Sequence, residues 1–252
     1  MVGINSAQSF HHFIADSEWS VNELKSRRLK KIKRALDGKA ITVVIDETGD
    51  RKKGKKTDYV ARQYLGSVGK VDWGIVSVNA YGVYNNITFP LIVKVYKPKG
   101  TLKSEDKYKT KIQLAAEIIT ELMNEGFNIE LVLADSLSGG SEFIKKLNEY
   151  KLAYVVAIRS NHGVWLPANQ SVRSNKWYAS RLKSGNPPTA LARKFERTFS
   201  NQKSETRYIR EIVYGKRRTV TYWEITTDPE TMPENSTSFI MTNLQGNLKK
   251  TR

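Results

Sequence analysis

Two aspartates stand where chemistry could be concentrated. Asp46 follows the apolar, β-branched run Ile41–Ile45, and Asp135 follows the apolar run Ile129–Ala134. If both runs are buried strands lying as parallel neighbours, the two carboxylates sit side by side at one edge of a sheet. Like charges held that close repel unless a cation neutralises them, and hard oxygen donors select Mg²⁺ or Mn²⁺. A two-metal site of this kind activates water or a 3′ hydroxyl and stabilises the leaving oxygen of a phosphodiester transfer. An aspartate after a strand is also a common turn residue, so the pair carries the reading and neither member does alone.

The cations say what such a site would act on. The 252 residues hold 42 Lys+Arg against 25 Asp+Glu, a formal charge of +17 with a pI near 9.8. Residues 25–34 carry seven basic and no acidic side chains, and 51–56 carry five cations in six positions: Arg51, Lys52, Lys53, Lys55 and Lys56. From Arg159 to Arg218 there are 14 basic and three acidic residues, the last cations being Lys216, Arg217 and Arg218. One such run is ordinarily a solvated face; three in one chain favour a surface that tracks phosphates. Arg159, His162 and Trp165 follow the strand expected over Ala153–Ile158, where they could grip phosphates or stack on a base. Trp177 suits the same role, whereas Trp223, in a β-rich segment, is assigned to the core. The helix entry Gly139-Gly140-Ser141 offers free N–H groups to a phosphate, or is simply a cap. His11, His12 and His162 are too few for a convincing zinc site.

A different chemistry competes at the same place. Gly49–Lys56 (GDRKKGKK) reads as G-x-x-x-x-G-K after a strand, and Leu131–Asp135 imitates the strand and Asp of a nucleotide hydrolase. Lys56 stands where a Ser or Thr hydroxyl is required, and Gly66, Gly69 and Gly74 interrupt any following helix, so a P-loop ATPase is the weaker reading. No apolar run approaches the roughly 18 residues of a membrane span, and no membrane partner is expected. The absence of cysteine removes disulfides and thiolate ligands and fits a reducing cytoplasm.

These residues require particular elements to position them. Val21–Leu36 reads as a basic helix with Leu24, Leu29, Ile32 and Leu36 near one face, ended by Asp37-Gly38. Strands are expected at Ile41–Ile45, Gly74–Tyr81, Ile87–Tyr96, Ile129–Ala134 and Ala153–Ile158. Helices are expected at Thr110–Glu125 and from Ser141. The order β-β-β-α-β-α-β matches a ribonuclease-H-like α/β core with a mixed sheet. Beyond Asn161 the pattern turns to strands, at Tyr208–Tyr214, Thr219–Thr226 and Ser238–Thr242, with Gly215-Lys216 as a turn. Ser184–Thr189 (SGNPPT) is the nearest thing to a linker.

The stretch VVIDETGDRKKGKKTDYVARQYLGSVGKVDWGIVSVNAYGV, then ELVLADSLSGG, YVVAIRSNHGVWLP and RYIREIVYGKRR, closely resembles bacterial insertion-sequence transposases of the DDE type. That resemblance implies an RNase H-like catalytic domain with a β-rich insertion after its fifth strand. The domains would be 1–38, an N-terminal helical segment; 39–160, the first part of the core; and 161–252, the insertion. It also implies Mg²⁺- or Mn²⁺-dependent DNA cleavage and strand transfer, inverted-repeat ends and target DNA as partners, a homodimer in synapsis, and a cytoplasmic, nucleoid-associated location. Asp46 and Asp135 match the first and second metal-binding acids. The third, a Glu on a helix after the insertion, has no counterpart: Glu142 would begin the wrong helix and Glu224 would lie within a strand. The chain is thus expected to be truncated at both ends and inactive alone, its alternative role a non-catalytic DNA-binding remnant. Ser138, where Tyr is expected, and Trp73, where a small polar residue is expected, depart from the pattern.

Overall fold

Residues 7–135, 141–159, 192–199, 201–212 and 220–244 are described by a computed structural model, which divides into Met1–Lys39 and Ala40–Arg252. The first unit holds α1 (Ala7–Asp16) and α2 (Val21–Leu36). Ser20 caps α2, its Oγ accepting from the Glu23 N–H at 3.2 Å. Glu23 in the first turn and Lys33 and Arg34 in the last complement the helix dipole. Asp37, at φ 50°, ends the helix in the left-handed region. Leu29 and Leu36 are buried, but Leu24 is exposed, unlike the expected inward stripe. At about 100° per residue Leu24 lies roughly 140° round the helix from Leu29, so it cannot share its face.

The second unit is built on one mixed ten-stranded sheet: β1 (Ile41–Arg51), β2 (Ala61–Leu65), β3 (Lys70–Tyr84), β4 (Ile87–Val95), β5 (Ile129–Ala134), β6 (Tyr154–Ile158), β7 (Arg193–Thr198), β8 (Ser204–Ile212), β9 (Thr221–Thr226) and β10 (Ser238–Thr242). Its order is β2-β3-β1-β5-β6-β10-β9-β8-β7, with β4 paired to β3. Helices α3 (Lys111–Asn124) and α4 (Ser141–Glu149) precede β5 and β6, and β1, β5 and β6 run parallel, as helical connections allow. α3 opens on a capping box, Thr110 Oγ1 accepting from the Gln113 N–H and Gln113 Oε1 from the Thr110 N–H. Its Ile118, Ile119 and Leu122 and the α4 residues Phe143 and Leu147 are fully buried. With Ile41, Val43 and Ile45 of β1, Val76 and Ala80 of β3 and Val132 of β5 they form the core.

The expected succession of elements over this part is present, with one strand more. β2 was not legible, and β1 and β3 are longer than their apolar runs. β1 continues six residues past Ile45, so Asp46 lies within a strand rather than at its end. The extension is polar because it pairs with β3 alone, Arg51 standing opposite Gly74. The ribbon of β2 and the start of β3 leaves the sheet where Leu65, fully buried, fills the space left by two glycines. A Cβ on Gly74 would meet the Asp50 carbonyl oxygen at 2.5 Å and Leu65 Cδ1 at 2.8 Å. After β6 the sheet continues through β10, antiparallel to β6, and then β9, β8 and β7. Ile209, Trp223 and Ile240 pack together there, so Trp223 is a core residue, its Nε1–H donating to Thr221 Oγ1 at 3.0 Å. Among the described residues no helix is long and apolar enough to cross a membrane.

Candidate metal and nucleic-acid site

The parallel ladder between β1 and β5 ends at Ile45 opposite Ala134. The next step on each chain is an aspartate. Asp46 and Asp135 are thus adjacent across neighbouring backbones about 4.8 Å apart, and strand alternation turns both away from the face of Val43, Ile45 and Val132. This brings together two residues 89 apart in sequence, as their runs predicted. Asp46 is exposed and Asp135 half-buried. One Asp46 oxygen accepts from the Glu47 N–H at 2.8 Å. No described cation pairs with Asp46.

Two further features fix that stretch of β1. On the face of Asp46, Asn79 of β3 stands directly opposite it and is buried. Asn79 Nδ2 donates to Thr48 Oγ1 at 2.8 Å and Ser77 Oγ donates to Asn79 Oδ1 at 3.1 Å, a satisfied polar strip beside the aspartate. On the opposite face Lys111 of α3 donates to Glu47 Oε1 at 2.7 Å, and its ammonium lies 5.3 Å from the Tyr96 ring centroid. Burial, the neighbouring Tyr108 hydroxyl and the Glu47 charge push the Tyr96 phenol up to about 12, so it stays neutral. The strand is therefore pinned from below while Asp46 faces outward.

The donor set fits a hard divalent cation: two carboxylates at adjacent positions, one of them without a protein cation. Among the described residues no group of three or more His, Cys, Asp or Glu side chains is arranged to hold a metal. Glu142 lies exposed in the first turn of α4. Glu224 is consumed elsewhere, buried in β9 and ion-paired with Arg210 of β8. His12 faces Asp16 across one turn of α1 at 3.8 Å.

The cation run after β1 is sorted by its partners. Arg51 Nε reaches Asp72 Oδ2 at 2.8 Å, Lys52 is tied to Asp50, and Lys55 lies over the Trp73 ring, 4.5 Å from its centroid. Lys53 and Lys56 have no ion pair among the described residues. No helix follows Gly49–Lys56; the chain turns and enters β2. Arg159 is exposed one residue beyond β6, at the same carboxyl edge of the parallel strands as the aspartates. His162, Trp165, Trp177, Ser138, Gly139, Gly140, Lys216, Arg217 and Arg218 lie outside the described residues.

One basic segment escaped the sequence reading. The connection from β4 to α3 and the first residue of α3 carry Lys97, Lys99, Lys103, Lys107, Lys109 and Lys111, interrupted by Glu105 and Asp106. Its cations stand over Tyr59 and Tyr108, and it lines a cavity of about 440 Å³ with Lys94, Leu114 and Glu117. Asp106 is nearly enclosed, and its hydrogen bond from Lys97 holds the carboxyl below its usual value. The intervening acids hid this run; counting lysines over a 15-residue window would have found it.

With that geometry in place, the comparisons are specific. A family model described as DDE superfamily endonuclease matches residues 3–228, and the chain belongs to that family. It is 47% identical over 243 residues, 96% of its length, to the probable transposase for insertion sequence element IS701 of Microchaete diplosiphon, and it spans 60% of that relative. Among solved structures, the piggyBac transposase synaptic complex with hairpin DNA aligns over 92% of this chain and 41% of that one, at 13% identity and a TM-score of 0.43. The NurA nuclease from Sulfolobus solfataricus aligns over 97% and 83%, at 8% identity and a TM-score of 0.32.

Proposed function

We propose that this chain carries the paired metal-binding aspartates and part of the DNA grip of a DDE transposase of the insertion-sequence kind, in an RNase H-like core. The observation that carries the reading is the register: β1 and β5 run parallel to Ile45 and Ala134, and the next residue of each is the acid. Asp46 and Asp135 would hold Mg²⁺ or Mn²⁺, which in such a site polarises a phosphodiester and lowers the pKa of an attacking hydroxyl or water. The chain's own residues position the pair: Asn79 and Thr48 beside Asp46, Lys111 and Glu47 beneath it. Lys53, Lys55 and Lys56 beyond β1, and Arg159 beyond β6, supply cations toward phosphates on two sides of that edge. The expected substrate is the inverted-repeat end of the element together with target DNA, and a homodimer would hold two ends. On this reading the chain binds DNA without cutting it, since two carboxylates meet here and no third acid stands beside them among the described residues.

Titration of Mn²⁺ by electron paramagnetic resonance tests the pair without relying on activity. Asp46→Asn and Asp135→Asn should each weaken binding at least tenfold, and unchanged affinity in both would overturn the assignment. A nicking assay on terminal-repeat DNA with Mn²⁺ tests the remainder. Metal-dependent cleavage lost in Asp46→Ala would show that the chain is a complete catalyst.

A further inference from the structure

The ribbon formed by β2 and the first half of β3 has an outer face that combines exposed rings with cations. In its register Arg62 stands opposite Trp73 and Tyr64 opposite Val71, so these four side chains share one side. Tyr64 is 58% exposed and Val71 51%. The other side carries Leu65 and Gln63, whose Nε2 donates to the Gly74 carbonyl at 3.0 Å, and is turned against the sheet. A large exposed aromatic beside an exposed valine has no role in the core, and Tyr64 has no ring or hydrogen-bond partner among the described residues.

Cations adjoin this face. Lys55 occupies one side of the Trp73 indole, fixing ring and ammonium together. Arg62, Lys53 and Lys56 have no ion pairs among the described residues, so their charge is available to phosphates. Rings that stack on any base, set beside unneutralised cations, are the composition that recognises an unpaired nucleic-acid strand rather than duplex alone. The place also fits. From Asp46 to Arg51, where the ribbon begins, is five residues of one strand, roughly 17 Å, or about five stacked base steps.

We infer that the outer face of this ribbon binds an unpaired DNA nucleotide, with Tyr64 as the stacking ring, Trp73 and Lys55 as its wall, and Arg62 as a phosphate contact. The inference rests on DNA as the partner proposed above and adds a single-strand subsite to it. It also gives Trp73 a role, where the family resemblance led us to expect a small polar residue.

The test compares binding of a blunt duplex with the same duplex bearing a short overhang that contains 2-aminopurine, in EDTA so that metal binding plays no part. The intact chain should prefer the overhang and quench or shift the 2-aminopurine emission. Tyr64→Ala should lose roughly ten- to a hundredfold on the overhang and little on the blunt duplex. Tyr64→Phe should retain the preference, and Lys53→Ala should weaken both substrates alike. Equal losses on both substrates in Tyr64→Ala, or no loss, would overturn the subsite while leaving DNA as the partner. Failure of the intact chain to bind either DNA would remove the partner and the subsite together. Self-association abolished by Tyr64→Ala, with overhang binding untouched, would assign the face to a second copy of the chain and overturn the inference.

Discussion

Glu224 and Asp46 are strand acids of the same sheet with opposite surroundings. Glu224 is buried among β8, β9 and β10 and is matched by Arg210 on the neighbouring strand. Asp46 lies on the exposed side of β1, next in register to a second aspartate, with no cation from the described protein. A carboxylate buried in a fold is enclosed with its counter-charge; one held ready for an external cation is left facing outward and flanked by another acid. The β8–β10 region thus uses charge to specify its own pairing, whereas the β1–β5 edge leaves charge for something else.

The largest effect that would break this contrast is on the buried pair. Arg210→Met should destabilise the fold by about 3–5 kcal/mol by stranding a buried carboxylate, and Arg210→Met with Glu224→Leu should recover most of it. Urea midpoints of the two variants measure this. At the other region the sign changes: Asp46→Asn should alter stability in EDTA by no more than about 0.5 kcal/mol. Saturating Mn²⁺, at a hundred times its Kd, should stabilise the parent by about 2.7 kcal/mol and the variant far less. Thermal melts with and without metal would show it. Gly74→Ala, at the root of the ribbon, forces a methyl against the Asp50 carbonyl and Leu65, and should cost about 1–3 kcal/mol by the same urea measurement.

The smallest effect is on pH dependence. Burial raises the Glu224 carboxyl above its ordinary value of 4.5, and Arg210 draws it back only in part. Above the ordinary value the unfolded chain releases its proton first. The contribution of Glu224 is therefore complete at acid pH and declines as pH rises through the raised value. Glu224→Gln should flatten that decline in urea midpoints followed from acid to neutral pH. Asp106 has the opposite sign, its contribution lost as pH falls below its usual value of 3.8.

What could be read beforehand follows the same division. Runs that are apolar because one face is buried and the other largely half-buried, Ile41–Ile45 and Ile129–Ala134, announced themselves, and the acids after them came with the runs. The helix over 21–36 and the one opening at Thr110 were bounded by their caps. β2 (ARQYL) and β7 (RKFERT) were not legible, because each has only one strongly apolar residue directed at a neighbour, Leu65 and Phe195. Their pairing is imposed by β3 and β8, not by their own pattern. For the same reason β1 seemed to stop at Asp46: hydrophobicity reports burial, and the strand outlasts its burial. The site's supports, Asn79 and the Lys111–Glu47 pair, depend on register across strands and a helix, which no single run displays.

The paired lengths of β1 and β3 make a ruler between the acid pair and the ribbon. Because strand side chains alternate, its gradations come in twos. Inserting two residues in both β1, after Asp46, and β3, before Asn79, would move the ribbon about 7 Å away while keeping its orientation, but inserting one in each would turn Tyr64 and Trp73 to the other side. Length changes in this segment should therefore be tolerated by parity rather than by size.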